Sequence, residues 1–259
     1  MKQIPFILIA IIAGGVLTGV AAAQSDDTIC AFYFTGIGCP HCGNVDPVIL
    51  GDWLQEYPEL VVIEFELYQH PENQPVYEYI AEQYNFSSLG IPKVAFAKGI
   101  TISGDTPILT TVPQILRERE TIAPESGVSF VNMDRLNLVG IPGSPQIWHR
   151  DRILIRNGTE EGDEIFIKSL LSSENLNDAL AGRSYEKIDP VPVNISGGAV
   201  EFEYAIGVRG WVLQWNGEPL AEPTPTAAAT PTATESPLPA WLAVAAVGAA
   251  LFGYGKRKP

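Results

Sequence analysis

Positive charge, histidine and cysteine are all scarce in this 259-residue chain, and each shortage narrows what it can do. Sixteen Lys and Arg stand against thirty Asp and Glu. Setting aside Lys2, Lys256, Arg257 and Lys258 at the two ends leaves twelve basic residues, so the body between them carries a net charge near −18. Such a surface suits neither nucleic acid nor anionic lipid. Of the three histidines, His70 and His149 have no second ligand at a metal-binding spacing, so a surface role is expected for each. The only cysteines are Cys30, Cys39 and Cys42, and residues 121–217 hold none. Cys30, inside an apolar run, reads as a small buried hydrophobe, with a peroxide- or metal-sensitive partner to Cys42 as the alternative. Apolar residues are plentiful at 46%, enough to build one or two domains with a proper core.

The ends are organised differently from the body. Residues 1–23 carry one early cation, Lys2, then an apolar run and Ala21-Ala22-Ala23 before a polar stretch, the pattern of a secretory signal peptide, an uncleaved anchor being the alternative. Residues 218–239, rich in Thr, Pro and Ala from Ala221 onward, read as a stalk with no periodicity that could build a core. Residues 240–255 are apolar with aromatics at both ends and read as a transmembrane anchor, the alternative being a buried helix of the folded domain. The basic tip, 256–259, would stay inside and leave the body outside, anchored to the cell membrane. With Ser236-Pro237-Leu238-Pro239, this end resembles archaeal surface-protein sorting tails, which a sortase-like protease cuts and a lipid replaces.

Cys39-Pro40-His41-Cys42 follows the apolar run Ala31-Phe32-Tyr33-Phe34 and the hinge Thr35-Gly36-Ile37-Gly38. Two thiols so spaced at a helix start can close a small disulfide ring, and the first lies where unpaired N–H groups favour a thiolate. Cys39 is therefore the expected nucleophile and Cys42 the resolving thiol. Pro40 suits the first helical position, and a cationic His41 would add to thiolate stabilisation.

Hydrophobic periodicity orders the elements from 26 to 120. A strand over 28–34 leads into a helix over 39–56, with Val45, Ile49 and Trp53 on one stripe. A second strand over 60–67 alternates late, with Glu64 and Glu66 read as solvated. A helix over 74–85 follows, then short strands at 93–97 and 100–103, and a helix over 106–120 that Pro113 should kink or restart. Residues 121–217 carry a hairpin (146–149 with 152–156), helices near 163–172 and 174–181, and strands at 191–195, 200–206 and 210–215. Trp211 and Trp215, four apart, are expected to pack on one face.

Strand, helix, strand, helix, strand, strand, helix, with the dithiol at the first strand–helix junction, is the order of the thioredoxin fold. Gly90-Ile91-Pro92 before the third strand resembles the cis-proline segment of thioredoxin-like oxidoreductases, and Pro47 matches the kinking proline of their active-site helix. The Pro-His pair is similar to that of periplasmic disulfide oxidases of the Dsb type. The resemblance implies an α/β thioredoxin-like fold, a central mixed sheet flanked by helices, over 26–120. Residues 121–217 would then be an α+β extension or small second domain. It also implies a Cys39–Cys42 disulfide, support from Pro40, His41 and Pro47, and substrate contact at Ile91 and Pro92. Gly140-Ile141-Pro142-Gly143-Ser144-Pro145 mimics a second such segment, which would make 69–119 an insert; Pro92 is preferred because the elements before it already complete the fold. The chain departs from the family at Tyr33, where a buried acid is usual, and has no tryptophan before Cys39.

The reading that follows is an anchored extracytoplasmic thiol-disulfide oxidoreductase that needs no cofactor or metal. It would act on protein thiols and disulfides with an extracytoplasmic or membrane redox partner, oxidase or isomerase being favoured over reductase. The alternatives are a soft-metal module holding copper(I) on Cys39, Cys42 and His41 or Cys30, and a surface binding protein with a structural disulfide.

Overall fold

The run from Ile29 to Phe34 is apolar on both sides, as suits an interior strand, and it forms β1 (Ile29–Thr35), buried throughout. In the computed structural model, which describes residues 28–126, 129–158 and 162–221, β1 pairs in parallel with β2 (Leu60–Glu66) and antiparallel with β3 (Lys93–Ala97). The signal segment 1–23, the anchor 240–255, the tip 256–259 and all but the first residues of the stalk lie outside the described residues. Among the described residues no helix is long and apolar enough to cross a membrane.

Between β1 and β2 run α1 (Pro40–Gly43), a π-helical turn (Val48–Asp52) and α2 (Trp53–Glu56). The expected single helix over 39–56 is therefore broken. Pro47 has no N–H to reach back to Gly43, and the chain instead closes on itself with Val45 N–H to Cys42 O (2.8 Å) and Ile49 N–H to Val45 O (2.9 Å). Next come α3 (Gln74–Tyr84), β3, β4 (Ile100–Ser103) and α4 (Asp105–Ser126). α4 does not restart at Pro113, and it runs six residues beyond the expected boundary at 120.

The rest comprises β5 (Gln146–His149), β6 (Arg152–Arg156), α5 (Glu164–Ser172), α6 (Leu176–Ala179), β7 (Glu186–Ile188), β8 (Val193–Ile195), β9 (Gly198–Val200), β10 (Tyr204–Val208) and β11 (Trp211–Trp215). Two differences from expectation stand out. β7 is a short exposed edge with no apolar alternation to announce it, and the expected strand over 200–206 divides at a bend into β9 and β10.

Nine strands form one mixed sheet in the order β4-β3-β1-β2-β5-β6-β11-β10-β7, while β8 and β9 pair separately. The extension is thus joined to the first part edge to edge, with Val61–Glu64 of β2 against Gln146–His149 of β5. Alternation along β1 divides the core in two. Cys30, Phe32 and Phe34 face α3 and α5, meeting Val76, Tyr77, Ile80 and Leu170. Ile29, Ala31 and Tyr33 face the dithiol segment and α4, meeting Val45, Ile49, Trp53, Ile108 and Val112, and also Val193 and Ile195 of β8.

The pairing of β5 with β2 overturns two expectations. Glu64 and Glu66 are buried, not solvated, because β2 is an interior strand and Trp148 of β5 covers Glu64. His149 is also buried, its ring nitrogens 2.9 and 2.8 Å from the carbonyl oxygens of Leu171 and Pro58. Trp211 and Trp215 both pack into the face that holds Cys30.

Candidate redox site

β1 delivers the chain into a tight loop in which Gly36 lies against Ile91 and Tyr68. A Cβ there would come within 2.8 Å of Ile91 Cδ1 and 2.9 Å of the Tyr68 ring, so a larger residue would have to push both side chains aside. Gly36 O then accepts the Cys39 N–H (3.0 Å), and Gly38 turns the chain at φ 89°. Cys39 caps α1, its Sγ accepting the Cys42 N–H (3.2 Å), with Pro40 at the first helical position. The two cysteines are joined in a disulfide, their Cα atoms 5.2 Å apart. Cys39 is 7% exposed and Cys42 0%, so an incoming group meets Cys39 first.

His41 points away from the sulfurs. Its side chain is 70% exposed, and Nδ1 lies 3.0 Å from Asp105 Oδ2, which also accepts from Asn44 Nδ2 at 3.0 Å. Asp105 Oδ1 accepts the Thr106 N–H (2.8 Å). His41, Asn44 and the backbone together hold the Asp105 carboxyl well below its ordinary range. The aspartate thus ties the dithiol turn to the start of α4 and balances any charge on His41.

Four residues after Cys42, on the same segment, lies an acid that the sequence did not single out. Asp46 is fully buried; Oδ1 accepts from the Tyr33 hydroxyl and from Thr35 Oγ1 (2.7 Å), and Oδ2 from the Ser196 N–H (2.7 Å). Burial pushes its pKa up, against the three donors, and Glu66 adds to the rise. Tyr33 is pushed well above its ordinary value by burial and then by Asp46. The strand position that holds a phenol is therefore bonded to a carboxylate from the helical segment. The available signal was position: Asp46 follows Cys42 by four residues on the buried stripe that continues through Ile49 and Trp53.

Two more carboxylates share this face. Glu64 accepts from Trp148 Nε1 (2.6 Å), and burial, with Asp46 nearby, pushes it up to about 8. Glu66 accepts four backbone N–H groups, from Ile37, Tyr68, Gln69 and His70, and so fixes the loop before Cys39 against the loop after β2.

The Ile91–Pro92 peptide bond is cis, the one such bond among the described residues. Ile91 is half-buried beside Gly36, and Pro92 O accepts the N–H of Gly104 (2.9 Å), the residue before α4. The other proline segment lies elsewhere: Ser144 bonds Asn73 at the start of α3 (N–H to Oδ1, 2.7 Å). Pro47 sits just past the turn that ends the dithiol helix.

The second unforeseen contribution comes from the β8–β9 hairpin. Ser196 Oγ donates to Cys39 O (2.9 Å), and Gly197 lies against Gly43, its N 3.5 Å from where a Gly43 Cβ would stand. Cys30 takes no part. It points to the opposite face of the sheet, and burial pushes its thiol pKa up steeply. Among the described residues no three His, Cys, Asp or Glu side chains converge as a metal site requires. Comparisons with protein-family models, curated proteins and solved structures return no match.

Proposed function

We propose that this chain is an extracytoplasmic, membrane-anchored thiol-disulfide oxidoreductase with a thioredoxin-like domain, acting on protein thiols and disulfides through Cys39 and Cys42. The observation that carries the reading is the asymmetric pair at the first turn after β1, with Cys39 at 7% exposure, Cys42 fully enclosed and the buried acid Asp46 on the same segment. The fold assignment is supported by the order β4-β3-β1-β2, with its parallel central pair, and by the cis bond before Pro92. Location outside the membrane rests on the sequence of the two ends.

In the oxidising direction a substrate thiolate attacks Cys39 Sγ. A substrate–Cys39 bond forms, the Cys39–Cys42 bond breaks, and the electron pair leaves on Cys42, which takes up a proton from solvent, with Asp46, the buried acid of the dithiol segment, as the relay. A second substrate thiolate then attacks the substrate sulfur of the mixed disulfide, giving the substrate disulfide and a Cys39 thiolate. Two electrons pass from substrate to dithiol, and a partner disulfide of the cell surface removes them. Ile91, beside the loop that leads to Cys39, offers backbone to an extended substrate chain. Pro-His between the cysteines favours oxidase or isomerase over reductase.

The test is disulfide formation in a reduced, unfolded substrate protein. The parent chain is expected to oxidise it, and Cys39→Ser to fall to the uncatalysed rate; full activity in Cys39→Ser contradicts the mechanism.

A further inference from the structure

Ser196 belongs to the extension, some 150 residues from the cysteines, yet it is a buried polar residue spent entirely on the dithiol segment. Its hydroxyl donates to Cys39 O, which already accepts the Gly43 N–H (3.0 Å) that starts α1, and its own N–H donates to Asp46. The approach is backbone to backbone. Gly197 has φ +92°, and a Cβ there would stand 2.7 Å from Gly43 O, so glycine is required on both counts. Val193 and Ile195 root the hairpin in the core beside Val45 and Ile49.

We propose that Ser196 is a positioning residue of the redox site, through which the extension holds the 39–43 turn in helical geometry after the disulfide opens. The inference rests on the oxidoreductase reading and assigns the extension a part in it. α1 is only four residues long and breaks after Gly43, so it has little stability of its own. In the oxidised form the S–S bond ties residue 39 to residue 42. In the reduced form that tie is gone, and the Cys42 N–H can support a Cys39 thiolate only while the turn persists. The Ser196 bond is therefore worth more to the dithiol than to the disulfide. Reduction itself balances as usual: the S–S bond breaks, and two electrons and two protons come from a substrate dithiol that becomes a disulfide.

Ser196→Ala and Gly197→Ala, made in the full chain, test this by equilibration with a glutathione buffer and by thiolate absorbance of Cys39 across pH. For Ser196→Ala the dithiol-to-disulfide ratio at fixed poise should fall about fivefold, the scale of one net hydrogen bond. That is about 20 mV more negative at roughly 29.6 mV per tenfold. The Cys39 pKa should rise in parallel, and Gly197→Ala should move both readouts further the same way. A lowered melting temperature with the ratio within twofold of the parent in both variants overturns the proposal. Failure of the parent to exchange with a protein substrate is a separate result: it sinks the oxidoreductase reading, while the ratio and pKa remain measurable.

Discussion

The two faces of the sheet bury opposite kinds of titratable side chain, bases on one and acids on the other. On the face of α3 and α5 lie Lys93, His149 and Arg152, and each is answered by backbone carbonyls: Ser88 O for Lys93, Leu171 and Pro58 O for His149, Leu170 and Ser173 O for Arg152. Three of these contacts are structural ties to one helix, since Leu170, Leu171 and Ser173 bring the unpaired carbonyls and negative dipole end of α5 to a basic side chain. On the dithiol face lie Asp46, Glu64 and Glu66, held by Tyr33, Thr35, Trp148 and backbone N–H groups. A single strand, β1, supplies both environments by alternation: Cys30 sits in the apolar cluster of one face, while Tyr33 and Thr35 hold a buried acid on the face of the Cys39–Cys42 pair. The difference teaches that buried acids, and not cysteine burial, which both faces share, set the two faces apart.

That contrast can be broken from either side. The largest effect is expected on the apolar face. Phe34→Ala removes a fully buried ring stacked on Phe65 and tilted against Tyr77 and should lower stability by about 3–5 kcal/mol, seen as an earlier urea midpoint, with the Cys39–Cys42 potential unchanged. A shift in potential would mean that the faces are coupled.

Glu64→Gln comes next. Folding raises the Glu64 pKa from 4.5 to about 8, so the folded protein holds this proton more tightly than the unfolded chain does. The stability it allows is complete below pH 4.5 and is lost as pH rises through 8. Gln keeps an acceptor for Trp148 and cannot ionise, so the variant should resist urea at pH 8 by about 4 kcal/mol more than the parent, and match it at pH 4.5. A parent whose urea midpoint does not fall over this range contradicts the buried-acid description.

Asp46→Asn should slow substrate oxidation about a hundredfold and flatten its pH profile, as followed by stopped-flow thiol exchange. Cys30→Ala should do least, costing about 1 kcal/mol by thermal melting and leaving exchange rates as they were.

The legible parts of the sequence were those written locally. The apolar run of β1, the stripe Val45, Ile49, Trp53, the spacing of the cysteines and the Gly90-Ile91-Pro92 signal each sit within a few residues of one another, and periodicity reads them. Asp46 and Ser196 are different, because an isolated helical Asp and a turn Ser are ordinary surface residues until a strand and a hairpin close over them. Glu64 and Glu66 misled for the same reason: alternation correctly gave their face, but only the long-range pairing of β5 with β2 makes that face an interior. β7 was missed because Glu186-Lys187-Ile188 is an edge held by its neighbour and not by its own pattern.

The most direct test of the account is a trap. In Cys42→Ala, Cys39 keeps its partial exposure and has no partner to resolve it, so mixing the full chain with a protein carrying an accessible disulfide should yield a mixed disulfide through Cys39, cleaved by reductant and absent from Cys39→Ser. No adduct, together with a parent Cys39–Cys42 bond that protein thiols leave intact, would make the pair a structural disulfide and contradict the account.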